Sequence, residues 1–303
     1  MFYWLHVAGT FVMGFLPVRL AYRLVGWGTP LALQVFARGH LERATRNMQQ
    51  VLGPNVDLRE ARRVTRAAFA NYARYMVDLV RMPHLHPGEL LANVRIEGWE
   101  HVEDAFNVGK GVVFATGHIG NWDLAGAAFA ASGRPVSALV ETLHPERWNE
   151  RVQRTRVAAG VKAIPIESGV REMLGALRKQ EGLAVLVDRP LAAEGVPVTF
   201  FGRTTRVPGG AATLALRTGS PVVPAALVRD PGGSGYLAHI GPPIVGHGDD
   251  NAADVQLVMQ RIMSWLEGII RRYPDQWFMF RQMWPGSEQP RPALSPRLSS
   301  LDY

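Results

Sequence analysis

From about residue 94 onward, short apolar runs alternate with segments of helical character, and this alternation admits very few architectures. Gly111–Thr116 (GVVFAT), Val136–Val140, Val161–Ile166, Leu183–Val187 (LAVLV) and Pro221–Val228 read as strands. Between them Asn121–Ala131, Pro145–Ala159, Val170–Lys179 and Gly210–Thr218 read as helices, and Asp254–Tyr273 as a closing helix. Strands that lack polar alternation are buried on both faces, and such runs alternating with helices predict an α/β fold: a central, mainly parallel sheet flanked by helices.

Ahead of this core the chain reads as helical. Residues 57–81 begin with Asp57 and Glu60 at capping-box spacing and carry an apolar face of Ala68, Tyr72, Tyr75, Met76 and Leu79. Arg59, Arg63 and Arg66 share another face, and Met82-Pro83 ends the helix. Residues 1–38 hold Phe2, Tyr3, Trp4, Phe11, Phe15, Tyr22, Trp27 and Phe36, with Arg19, Arg23 and Arg38 among them. That mixture suits a helix lying in a membrane interface, and equally a pair of buried helices. Pro17 breaks the first apolar stretch, so no run of about 20 apolar residues is available to span a bilayer. No cationic leader with a small-residue cleavage site opens the chain. The expected organisation is a helical, membrane-contacting N-terminal segment over 1–92, a catalytic core over 93–285 and a loose Pro/Ser-rich tail over 286–303.

The absence of cysteine excludes a disulfide framework, a thiolate metal site and a cysteine nucleophile. A formal charge of +7 points to anionic partners: nucleic acid, anionic lipid or a phosphorylated substrate. Nucleic-acid binding calls for a basic stripe with stacking aromatics, but the aromatics here cluster in apolar segments. The sequence contains no G-x-S-x-G elbow, no H-E-x-x-H, no Walker A loop, no G-x-G-x-x-G after a strand and no cluster with metal-ligand spacing.

Chemistry centres on His118-Ile119-Gly120-Asn121-Trp122-Asp123, between the strand 111–116 and the next helix. Ligands of open α/β sheets gather at the carboxyl ends of strands. On a continuous helix His118 and Asp123 would point about 140° apart, so a turn eased by Gly117 and Gly120 is needed to bring the carboxylate onto the imidazole. There it would fix the tautomer and stabilise the imidazolium. Spacing alone is weak evidence: nine histidines and 26 acids yield a second match, His84 with Glu89, which lacks a preceding strand.

Several blocks together resemble the HX4D/E acyltransferases, and more narrowly the bacterial lipid A late-acyltransferase group that includes phosphatidylinositol mannoside acyltransferases. They are GKGVVFATGHIGNWDLAG (109–126), ETLHPERWNERVQRTRVAAG (141–160), LVDRPLAAEGVPVTFFGRTTRVPGGAATLALRTGSPVVP (186–224) and YPDQWFMFRQMWP (273–285). The resemblance runs from about residue 10 to 284, with departures at Pro190 and Ala211-Ala212. It implies that His118 is a general base oriented by Asp123. An acceptor hydroxyl then attacks an acyl thioester directly, with no acyl-enzyme. It further implies substrate-binding roles for Asn121, Glu141, Arg156, Asp188, Arg203 and Arg206, with the arginines suited to phosphate. Backbone N–H groups near Gly120 are candidate donors to the oxyanion. Phe201, Trp122 and Trp277 read as core. The implied partners are acyl-CoA as co-substrate, a lipid acceptor and an anionic membrane surface; no cofactor, metal or nucleic acid is implied. The implied location is peripheral, on the cytoplasmic face of the membrane. A lipid A-type or lysophospholipid acceptor, an acyl carrier protein donor, or a non-catalytic membrane-binding protein are the alternatives.

Overall fold

The computed structural model describes residues 16–284 except 37, 168, 192–193, 233–234 and 247–249. Phe2, Tyr3, Trp4, Phe11, Phe15 and the tail beyond 284 lie outside the described residues.

Helices come first. α1 (Val18–Phe36) and α2 (Arg38–Leu52) both pack on α3 (Leu58–Arg81), which ends in a 3-10 turn at Met82–His84, followed by α4 (Pro87–Ala92). At the start of α3, Asp57 accepts a hydrogen bond from the Arg59 N–H. The reciprocal half of the predicted capping box does not form, because both Glu60 oxygens bind Arg63. Arg59, Arg63 and Arg66 form a solvated face.

The core then alternates: β1 (Val94–Glu97), α5 (Trp99–Asn107), β2 (Val112–Thr116), α6 (Trp122–Ala131), β3 (Val136–Val140), α7 (Glu146–Ala158), β4 (Val161–Pro165), α8 (Val170–Arg178) and β5 (Gly182–Leu186). A hairpin of β6 (Val196–Phe200) and β7 (Arg203–Val207) follows, then α9 (Gly210–Thr218), β8 (Val222–Arg229), β9 (Tyr236–Ile240) and α10 (Ala252–Arg272). Seven strands form one sheet in the order β1-β9-β8-β2-β5-β3-β4, antiparallel only between β8 and β9. Helices α5, α6 and α7 cover one face and α8, α9 and α10 the other. The apolar positions of α10, from Val255 and Val258 to Ile269 and Ile270, recur at helical spacing and are buried. This is the mainly parallel α/β sheet that the apolar runs predict.

Sequence reasoning misses β1, β9 and the hairpin, whose strands are only four or five residues long. The hairpin turn is Phe201-Gly202, both at positive φ (51° and 75°), which matches the twist of the flanking strands. It drives Phe201 into the core beside Trp277 and Trp284.

Candidate active site

The register of two neighbouring strands builds the site. Thr116, the last residue of β2, pairs with Leu186, the last of β5. His118 and Asp188 therefore each stand two residues beyond a paired position, on strands about 5 Å apart. The His118 Nδ1 lies 2.7 Å from Asp188 Oδ1. Asp188 Oδ2 accepts the His118 backbone N–H at 2.9 Å and the Trp277 indole N–H at 2.9 Å. Asp188 is fully buried, whereas the His118 side chain is 32% exposed.

Burial pushes the Asp188 carboxyl upward. The charge of His118 and the hydrogen bonds from its ring, from Trp277 and from the His118 backbone outweigh burial and hold the group below the usual carboxylate range. An ionised Asp188 can only accept, so the proton on the imidazole sits on Nδ1 and Nε2 presents a lone pair. Nε2 makes no hydrogen bond among the described residues, and the ring meets the edge of Trp122 at 5.4 Å.

Two glycines permit this turn. A Cβ on Gly117 would lie 2.9 Å from Asp188 Oδ2 and 2.8 Å from Leu266 Cδ2. Gly120 has φ +63°, and a Cβ there would lie 1.9 Å from the Leu227 carbonyl oxygen. The Gly120 N–H donates to the Gln276 carbonyl at 2.8 Å and the Asn121 N–H to Leu227 at 2.7 Å. These N–H groups therefore hold the turn in place and are not free to meet an oxyanion, contrary to the expectation from sequence.

Asp123 is not on the imidazole. Asn121 caps α6 through the Leu124 N–H at 2.9 Å, and the first turn of that helix carries Asp123 away towards α3 and α7. There its carboxylate receives the Tyr75 hydroxyl at 2.6 Å and Arg156 Nε at 2.6 Å. Arg156, expected at phosphate, is thus committed to Asp123 and only 13% exposed. Asn121, expected at substrate, is buried, with its amide N–H on Asp78 at 3.2 Å. Asp188, expected at substrate, is the partner of His118.

Glu141 follows β3, the strand beyond β5, and pairs with Arg189. Sequence reasoning passes over Arg189, although it directly follows Asp188. Burial and the neighbouring Arg281 charge lower its pKa. Arg206 donates to the Gly195 carbonyl at 2.7 Å within the hairpin, and the Arg203 side chain makes no hydrogen bond or ion pair among the described residues.

Beside the His118 turn an apolar cavity of about 200 Å³ opens between the sheet and helices α5 and α6. Thr116 and Trp122 line it nearest His118, Phe114 and Phe129 line a farther wall, and Ala225 and Ala238 leave its floor open on the sheet. Its chemistry suits a hydrocarbon chain.

On the far side of the turn, Asp78 binds Arg229 at 2.6 Å and accepts the Tyr22 and Tyr236 hydroxyls, tying α1 to β8 and β9. Burial, then the Asp78 charge, raises the Tyr22 phenol to about 12. The opposite face of α1 exposes Leu20, Leu24 and Trp27, the last at 82%, with Arg19 and Arg23 beside them. Among the described residues no helix is long and apolar enough to cross a membrane.

Known proteins supply the remaining test. A phosphatidylinositol mannoside acyltransferase of Mycolicibacterium smegmatis is 29% identical over 92% of this chain and 90% of its own length. A protein of the same description from Mycobacterium tuberculosis is 29% identical over 93% and 88%. A lipid A biosynthesis acyltransferase of Haemophilus influenzae is 26% identical over 66% and 62%. The crystal structure of the 1-acyl-sn-glycerophosphate acyltransferase of Thermotoga maritima aligns with a TM-score of 0.40 and 12% identity, over 83% of this chain and 96% of that one. Residues 1–285 match the family described as bacterial lipid A biosynthesis acyltransferase. That match spans nearly the whole chain, and the chain belongs to this family of acyltransferase enzymes.

Proposed function

We propose that the protein moves a fatty acyl chain from acyl-CoA to a hydroxyl of a membrane glycolipid such as a phosphatidylinositol mannoside, with His118 as general base and Asp188 as its orienting carboxylate. The observation that carries this reading is the Nδ1 contact with buried Asp188, which leaves Nε2 with its lone pair at the mouth. Nε2 takes the hydroxyl proton as that oxygen attacks the thioester carbonyl, forming the new C–O bond. The tetrahedral intermediate collapses, the C–S bond breaks, and the departing thiolate receives the proton from the imidazolium. General-base help of this kind contributes about 10²–10⁴ in rate.

The acyl tail lies in the apolar cavity beyond Trp122. Arg189 and Arg281, with Glu141 adjacent, are suited to the phosphates of donor or acceptor, and Arg203 and Arg206 on β7 are further candidates. The mannoside acceptor rests on the description of the mycobacterial relatives. The exposed Leu20, Leu24 and Trp27 stripe, with Arg19 and Arg23, suits an anionic bilayer. A cytosolic thioester donor then sets the enzyme peripherally on the cytoplasmic face.

The test is product formation in mixed micelles, with palmitoyl-CoA or palmitoyl-acyl carrier protein against a phosphatidylinositol mannoside, a lipid A precursor and a lysophospholipid. Acylated mannoside formed from palmitoyl-CoA is the expected result. Transfer only to another acceptor, or only from the carrier protein, replaces that half of the reading.

A further inference from the structure

The C-terminal segment takes part in the site. Phe278 N–H donates to the His118 carbonyl at 2.7 Å, and the Gln276 carbonyl accepts the Gly120 N–H at 2.8 Å, so residues 276–278 pair with the turn as a short antiparallel strand. Between these two bonds stands Trp277. Its ring is buried among Phe200, Phe201 and Trp284, at centroid distances of 5.9, 6.3 and 6.5 Å. Its one polar atom, the indole N–H, meets Asp188 Oδ2 at 2.9 Å.

Asp188 has three donors in all, and the other two, the ring and the backbone N–H, both belong to His118. Without Trp277 the carboxylate would be anchored only to the residue it has to orient. The indole comes from a separate element that is itself pinned to the turn. With two donors on Oδ2, the plane of the carboxylate is set and Oδ1 is left for the imidazole.

We infer that Trp277 is a positioning residue for acyl transfer: its indole N–H fixes the Asp188 carboxylate that aligns His118. This rests on the His118–Asp188 reading above. The indole touches no reacting atom and acts through Asp188 alone.

The experiment compares W277F, D188N and W277F/D188N with the full-length wild type, using palmitoyl-CoA and the acceptor that the wild type acylates. W277F keeps the ring stack and removes the donor. Its kcat is expected to fall about tenfold, the scale of one hydrogen bond to a charged acceptor, with KM for palmitoyl-CoA unchanged. The double variant is expected to be no slower than D188N, because the carboxylate that the indole positions is already gone. An equal fold-loss in both backgrounds, or a rise in KM with kcat intact, would mark Trp277 as packing only and overturn the inference. A wild-type rate in D188N would instead remove the His118–Asp188 reading, and the inference with it. Should W277F fail to fold, indole NMR of wild type and D188N decides. The Trp277 N–H is expected to show the largest shift of the eight tryptophans, and an unmoved resonance would overturn the inference.

Discussion

Replacing Asp188 by asparagine tests which carboxylate serves His118. The amide is nearly isosteric but has one acceptor oxygen where the carboxylate had two. Two donors, the His118 backbone N–H and the Trp277 indole N–H, converge on the Oδ2 position, and one ring nitrogen faces Oδ1. Satisfying two donors outweighs satisfying one, so the amide oxygen turns towards the pair and the amide NH2 towards Nδ1. The imidazole must then accept at Nδ1 and carry its proton on Nε2, which blocks the base. The expected loss is about 10²–10⁴ in kcat, or about 3–6 kcal/mol of transition-state stabilisation at about 1.4 kcal/mol per decade. Asp123→Asn is the control. It leaves Arg156 buried without its counter-charge, at a cost of about 3–5 kcal/mol in stability. Turnover per folded molecule is expected to stay within about tenfold of wild type, since Asp123 does not touch the imidazole. Thiol release from palmitoyl-CoA in the presence of acceptor, with thermal unfolding in parallel, separates the two effects. A fully active D188N beside a folded but inactive D123N would refute the reasoning and return the orienting role to Asp123. The lowered Asp188 pKa has a further consequence. It contributes stability above the unfolded carboxyl value of about 3.9 that is lost as pH falls through the folded value. D188N is therefore expected to lack that part of the acid unfolding curve.

Gly120→Ala places a Cβ 1.9 Å from the Leu227 oxygen at φ +63°, and is expected to lower the unfolding free energy, read from denaturant curves, by an amount in the exceptional range above about 4 kcal/mol; a wild-type midpoint would contradict this turn geometry. Ala225→Phe is expected to fill the cavity and shift donor preference to shorter acyl-CoA thioesters, with stability lowered by no more than about 1–3 kcal/mol; an unchanged chain-length profile would remove the cavity from acyl binding. Leu24→Ser with Trp27→Ser is expected to reduce co-sedimentation with anionic liposomes while leaving the unfolding temperature in place, since both side chains are exposed; undiminished binding would move the membrane contact elsewhere.

The strands are legible in the sequence because a strand covered on both faces must be apolar along its length, and GVVFAT and LAVLV are. Their neighbours are not. β3 follows β2 in the chain, yet β5 lies between them in the sheet, and no local pattern encodes that insertion. This one fact of order brings Asp188 to His118 from 70 residues away. Asp188 itself is visible as an acid at a strand end, and the short spacing to Asp123 draws the pairing to the wrong carboxylate. Asn121 explains why: it caps α6, and a helix begun there turns its first acid towards Tyr75 and Arg156. Trp277 reads as core from its apolar neighbours, correctly for its ring, while the destination of its N–H depends on contacts distant in sequence. Phe201-Gly202 stands out by resemblance, and its physical role as a hairpin turn emerges only with β6 and β7 in place.

The most direct test of the central claim is thiol release from palmitoyl-CoA by wild type and His118→Ala, each with and without a glycolipid acceptor. Acceptor-stimulated release by the wild type that vanishes in a folded H118A variant is the result expected of a lipid acyltransferase with His118 as base. Undiminished acceptor-stimulated release in the variant would contradict it and move the base to another residue.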